Sequence, residues 1–253
     1  MWSGDFGFVL ENLVFKDFKV RYRNMSLGVF WSLLNPLITM SVLFLVFGIM
    51  LPNGVKGYPV FVLCGLIPFN FFSIAWATGT NSLVDNAGLI KRVPIPREVV
   101  PIASVLANCL HLLIQIGMLL TFVMLFGYGV NRHWMWLPVV WGLEIVFVLG
   151  LVLACSALDV YLRDMRYLVE STNVLLFWLV PIVYGYEKIP AKYSEIYSWN
   201  PIAAMVMALR RILMDGAAPG ATLIGKLALG SVASLAMGWM VFRALHRRFY
   251  DHL

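Results

Sequence analysis

The chain has 253 residues, of which 61% are hydrophobic and 13% charged, and its net charge is +6. Soluble domains carry about 25% charged residues, so the composition excludes an ordinary soluble domain and points to lipid as the solvent. The basic residues gather at the ends of apolar runs rather than on one face, which is an orientation signal in a membrane and not a nucleic-acid footprint.

At the N-terminus, Asp5, Glu11, Lys16, Asp17, Lys19, Arg21 and Arg23 interrupt short apolar pieces, so residues 1–25 do not read as a cleavable signal peptide. Phe6, Leu10, Val14, Phe18 and Tyr22 recur every fourth residue and form one stripe, with Lys16, Lys19 and Arg23 opposite. This pattern predicts a helix lying in the membrane surface or against another subunit. Asp17 and Arg21 fall near the apolar side, where their i,i+4 spacing allows an ion pair.

A bilayer core needs about 20 apolar residues per helical span. Six segments qualify: 30–51, 58–80, 100–126, 134–158, 168–186 and 221–244. The fifth contains Glu170 and Pro181. With the N-terminus inside, the inner pieces hold Lys16, Lys19, Arg21, Arg23, Lys91, Arg92, Arg97, Arg163, Arg166, Arg243, Arg247 and Arg248. The two short outer loops hold only Lys56 and Arg132, while Lys188, Lys192, Arg210, Arg211 and Lys226 fall in and after the last outer segment. The excess predicts both ends in the cytoplasm. The expected division is therefore 1–29 as an interface helix, 30–186 as five spans with a loop at 81–99, 187–220 as an outer segment, and 221–253 as the sixth span and tail. Within 187–220, Asn200 is a good N-cap and Pro201 a good first helical residue. The run 202–214 covers only about 20 Å, which predicts a re-entrant or interfacial helix.

Residues that carry chemistry are few. Cys64, Cys109 and Cys155 are far apart in apolar runs and read as packing residues. Residues 220–227 nearly spell a phosphate-binding loop, but Leu227 stands where Ser or Thr would hold magnesium and no strand precedes it. His111, His133, His246 and His252 have no metal-ligand spacing. His111 and Gln115 share a helix face, which predicts an interhelical polar contact or a pore-lining patch. Glu144 is costly in lipid and should face protein or water. A proton relay would need further acids nearby, and only Asp159 and Glu170 are candidates. No hydrolase triad or clustered acidic metal site is present, which weighs against a membrane enzyme on polyprenyl substrates.

Two inner pieces stand out. After the second span come Asn86, Leu89, Lys91, Arg92, Pro94, Pro96, Arg97 and Glu98, a short helix followed by a basic, proline-stiffened segment. An orientation loop needs no rigid Pro-x-Pro, whereas a surface that transmits force to a partner does. Arg163, Asp164 and Arg166 read as a solvated turn with local ion pairs. Trp31, Trp178, Tyr184, Tyr186, Tyr193, Tyr197 and Trp199 form either an interface belt or a set of faces for sugar rings.

Taken together, these residues resemble the membrane subunit of polysaccharide-exporting ABC transporters, the O-antigen exporters and their teichoic-acid and capsule relatives. The resemblance rests on Arg21-Tyr22-Arg23 leading to Ser26-Leu27-Gly28 and Trp31, and on Asn35-Pro36. It continues through Tyr58-Pro59, Gly65 to Phe72, Leu89 to Glu98, Tyr161 to Asp164, Pro181 to Tyr184, and Asn200-Pro201 before Arg210-Arg211. Ile95 and Phe69 stand where the family commonly has Phe and Trp.

The resemblance implies an all-α permease that works as a homodimer in the cytoplasmic membrane, each copy with a separate ATPase that uses ATP and magnesium. It implies an entrance at Leu27 and Gly28, and ATPase coupling through Asn86–Glu98 with a smaller contact at Arg163 and Asp164. The substrate would be a lipid-linked polysaccharide such as O-antigen on undecaprenyl pyrophosphate. Arg21, Arg23, Lys91, Arg92 and Arg97 would hold its headgroup, and Trp31, Trp178, Tyr184 and Tyr186 its glycan. A permease for small molecules or drugs shares a similar fold and stays open.

Overall fold

The computed structural model describes residues 6–23, 26–52, 54–93, 95–246 and 249, and Pro94, Arg247, Arg248, Asp5 and His252 lie outside them. Every regular element among the described residues is helical. In order come α1 (Phe6–Tyr22), α2 (Trp31–Phe44), α3 (Tyr58–Asp85), α4 (Ala87–Arg92) and α5 (Val99–Leu125), then α6 (Leu137–Asp159), α7 (Met165–Leu179), α8 (Ala191–Trp199), α9 (Pro201–Leu213) and α10 (Ala221–Leu245). A π-helical turn, Leu45–Met50, extends α2.

Five helical stretches are long and apolar enough to cross a bilayer: Gly28–Met50, Tyr58–Arg92, Val99–Leu125, Arg132–Asp159 and Ala221–Leu245. The predicted fifth span is not among them. Its helix, α7, stops at Leu179 after 15 residues, about 22 Å against a hydrocarbon core of about 30 Å. The chain then turns through Val180, which still bonds to the Leu176 carbonyl, to Pro181, which has no N–H to continue the ladder.

α3 is the central post: one large core gathers its residues with those of α5, α6 and α9. A second, smaller core forms at the end where the chain starts and finishes, from Leu13, Leu83, Ile90, Val100, Leu153 and Phe242. α6 and α10 run together at backbone contact through Gly150 and Gly238. In contrast, α2 is largely uncovered, with Ile38, Val42, Leu45 and Ile49 exposed, as are Leu168, Leu175 and Trp178 of α7.

Residues 187–220 fold as α8 and α9. Asn200 caps α9 by accepting from the N–H groups of Ile202 and Ala203, with Pro201 in the first turn. α9 is buried along most of its length against α3, α6 and α10. The run resembling a phosphate loop is mostly helix: Gly225 and Lys226 lie inside α10, where Lys226 Nζ donates to Ser198 Oγ at 2.7 Å.

Candidate functional site

The basic end of the bundle is organised by α1. Its stripe turns inward onto the chain's own α5, so the surface helix packs on this subunit: Leu13 is buried, and Phe18 stacks on His111 at 5.1 Å between ring centroids. The Tyr22 hydroxyl bonds to His111 Nδ1. Phe8, Phe15 and Val20 remain exposed on the other side. The expected Asp17–Arg21 pair does not form. Arg21 reaches across to α5, donating from Nη1 to Asn108 Oδ1 at 2.7 Å, and Asn108 donates on to Thr78 of α3 at 3.0 Å. Asp17 pairs instead with Lys16 at 3.7 Å. Burial raises the Asp17 carboxyl above its ordinary value, with Lys16 opposing, and burial lowers the Arg21 guanidinium.

Lys16 also donates to Asn86 Oδ1 at 2.5 Å, tying α1 to the head of α4. On α4, Leu89 and Ile90 pack into the smaller core, while Lys91 and Arg92 are exposed. Arg97 differs from its neighbours. It donates to the His246 carbonyl at the end of α10 and lies 5.9 Å from the Phe249 ring. It braces the bundle there while its side chain stays partly exposed. Pro96 and Glu98 lead into α5, with the Glu98 carbonyl accepting from Ile102. Arg163 and Asp164 are exposed, but the expected ion pairs are absent among the described residues; the turn is closed by backbone bonds from Met165, Tyr167 and Leu168. Arg23 ends α1, and Leu27 and Gly28 enter α2 through a turn with Gly28 at φ 50°, a conformation that suits glycine.

Between α1, α2, α3 and α5 lies a crevice of about 330 Å³, bordered by Arg21, Trp31, Asn35, Asn70, His111 and Gln115 among others. Gln115 donates to the Ser32 carbonyl at 2.9 Å. His111 and Gln115 both make the interhelical polar contacts that the first alternative predicts, and both border this crevice. His111 lies twelve residues into α5, about 18 Å from its start, within one of the five helices long and apolar enough to cross a membrane.

At the opposite end, Arg210 of α9 is buried and donates to the carbonyls of Ile182 (2.7 Å), Phe61 (3.3 Å) and Tyr184 (3.4 Å), with its guanidinium over the Phe61 ring. It clamps the irregular segment after α7 onto α3. The Tyr184 hydroxyl caps α7 by donating to the Leu179 carbonyl at 2.9 Å. Its polar end is therefore committed to structure; Trp178 is exposed, and Tyr186 borders a cavity of about 830 Å³. Cys64 and Cys155 are buried and Cys109 partly so. Glu144 is buried in α6, and neither carboxyl oxygen has a partner among the described residues.

Sequence reasoning missed Asn108, Thr78 and the Lys16–Asn86 bridge. Singly placed amides and hydroxyls have no periodic signature, and only the packing of α1 on α5 brings them together. Arg210 was counted as an outer charge, and no signal in its neighbourhood marks it as buried. Among the described residues, no group of three or more His, Cys, Asp or Glu could hold a metal.

A bundle with five helices long and apolar enough to cross a membrane, and a crevice into which polar side chains project, has the make-up of a polytopic membrane protein. The chain belongs to the ABC-2 type transporter family, which it matches over residues 10–214. It is 30% identical over 251 residues to an O-antigen export system permease of Klebsiella pneumoniae, covering 98% of this chain and 96% of the relative. A permease of the same description from Myxococcus xanthus is 27% identical over 247 residues, covering 97% and 95%. A polysialic acid transport protein of Escherichia coli is 24% identical over 237 residues, covering 92% of each. The chain is thus a transport permease related to polysaccharide export systems, not a catalytic subunit.

Proposed function

We propose that this chain is the permease of an ATP-driven exporter that moves a lipid-linked, O-antigen-type polysaccharide, carried on undecaprenyl pyrophosphate, out across the cytoplasmic membrane. The observation that carries the reading is the end-to-end similarity to O-antigen export permeases. Similarity to polysialic acid transport proteins makes capsule export the second reading.

Two copies enclose the pore, each served by a separate ATPase that binds ATP and magnesium. The uncovered faces of α2 and α7 support pairing, because so much unburied surface on a small bundle suits a two-fold partner. Both termini lie in the cytoplasm, in accord with Lys16, Lys19, Lys91, Arg92, Arg163 and Arg166 at one end. A sixth crossing is completed by α7 with the irregular stretch after it, and 187–220 forms an outer gate. Irregular backbone at that depth is tolerated where protein or a wet cavity covers it, as Arg210 does for the Ile182 and Tyr184 carbonyls. The exposed α4, with Lys91 and Arg92 outward and Leu89 and Ile90 inward, is shaped to pass a push from the ATPase into the small core. Arg21, Arg23, Lys91, Arg92 and Arg97 are the cations proposed for the pyrophosphate, and Trp31, Trp178, Tyr184 and Tyr186 the rings proposed for the glycan.

The test is Arg92→Ala in cells that depend on this gene for their surface glycan. Because Arg92 is exposed, the complex should assemble, while export and permease-stimulated ATP hydrolysis fall together. Normal hydrolysis with lost export would assign Arg92 to the substrate instead. Full surface glycan in a strain lacking the permease would overturn the reading.

A further inference from the structure

The crevice between α1, α2, α3 and α5 has a mostly apolar surface into which several polar side chains project. Asn35 on α2 and Asn70 on α3 both border it, and neither side-chain amide has a hydrogen-bond partner among the described residues. An amide in hydrocarbon is costly unless bonded, so something polar must meet these two. His111 borders the same space with Nε2 buried and without a hydrogen-bond partner among the described residues, its other nitrogen being held by Tyr22. Trp31 contributes an indole that is 40% exposed. Arg21 is the one cation among the lining residues, and no carboxylate joins it.

Sugar hydroxyls demand donors and acceptors together, which a carboxamide supplies from one side chain. The C–H face of a sugar ring suits an indole. A guanidinium beside them holds a phosphate or carboxylate. A purely apolar ligand could use the apolar surface but would leave both amides unbonded, and a cation would meet Arg21 with no acid among the lining residues. The size lies within the range of pockets for small ligands. We propose that this crevice is a docking subsite for one sugar unit of the transported glycan, adjacent to an anionic group held by Arg21, with Asn35 and Asn70 reading the hydroxyls. The inference rests on the polysaccharide-export reading and adds where, within one subunit, the glycan is recognised.

The experiment uses the permease assembled with its ATPase in lipid nanodiscs. The probe is the set of oligosaccharides released by mild acid from the host's own surface polysaccharide, with binding followed by saturation-transfer NMR. Asn35 is exposed on α2, so Asn35→Leu leaves the core intact and is the decisive variant; Asn70→Leu is the second. Each should weaken binding about tenfold and lower export in cells, with the ATPase still copurifying. Asn35→Gln, which keeps the amide, should restore most of both. If the wild type exports glycan while both leucine variants bind and export as it does, the subsite is wrong and the export reading survives. If Asn35→Leu splits the permease into single copies, the amide belongs to the contact between subunits and the subsite is wrong. A wild-type complex that moves no glycan overturns the export reading itself.

Discussion

The seam between α6 and α10 offers a sharp test of the packing. Gly238→Ala would put a methyl carbon 2.7 Å from the carbonyl carbon of Gly150 and 2.9 Å from its Cα, and closer still to the carbonyl oxygen. Ordinary carbon contacts lie at about 3.5–4.0 Å, so the helices must part by about 1 Å. No rotamer can absorb this, because the neighbour is backbone. Separation would also stretch the bond from Ser234 Oγ to the Phe147 carbonyl, now 2.9 Å, in the same seam. Overpacking costs about 1–3 kcal/mol, and backbone against backbone belongs at the upper end. At about 2–4 °C per kcal/mol for a chain of this size, the melting temperature of the purified permease should fall by roughly 5–10 °C. Gly142→Ala on α6 and Gly225→Ala on α10 are the controls, since a methyl at either meets nothing within 4 Å. They should be neutral or gain about 0.4–1 kcal/mol through reduced chain entropy. A Gly238→Ala protein that melts with the wild type, or controls that fall equally, would refute the close contact.

Arg210→Met should lower stability by about 3 kcal/mol or more, because three carbonyls lose their donor while the site stays buried; Arg210→Lys should recover only part of it, lacking the planar fork. A melting curve of each variant in detergent decides this, and an unchanged Arg210→Met would remove the clamp. Glu144→Leu should be neutral or stabilising, since an unpartnered buried carboxyl is replaced by an apolar side chain; a loss above about 1 kcal/mol would reveal a partner that matters. For Asp17 the folded carboxyl is raised above 3.8. Its stabilising contribution is therefore complete below that ordinary value and is lost as pH rises through the raised one. Melting temperatures of wild type and Asp17→Asn, compared from about pH 4 to pH 7, should diverge in favour of the variant as pH rises. A constant difference would mean that Asp17 is not strained by its burial on α5.

Hydropathy alone located the long helices, because a span must be apolar along its whole length and few sequences of that kind do anything else. α9 was legible for a different reason: Asn200 and Pro201 state a helix start locally, and the structure carries out that capping. The fifth predicted span holds a shorter helix than expected because local and regional signals disagree there. The apolar run continues past Leu179, but Pro181 ends the ladder, and composition cannot say which prevails. At the basic end, the stripe of α1 was legible as apolar, but its packing on α5 was not, since a stripe fits lipid, another subunit or α5 equally well. That ambiguity hid the Arg21–Asn108–Thr78 chain and produced the mistaken Asp17–Arg21 pair. Arg97 shows the same limit. Its basic neighbourhood marks a surface, and only the position of the α10 terminus turns it inward.

The central claim is transport by this chain when driven by a separate ATPase. It is tested most directly by reconstituting the permease with its partner in proteoliposomes loaded with the host's lipid-linked glycan, and scoring glycan on the opposite leaflet with a membrane-impermeant lectin. The account predicts glycan transfer that requires both proteins and ATP. Transfer by the permease alone, or an ATP-hydrolysing pair that leaves every glycan where it began, would contradict it.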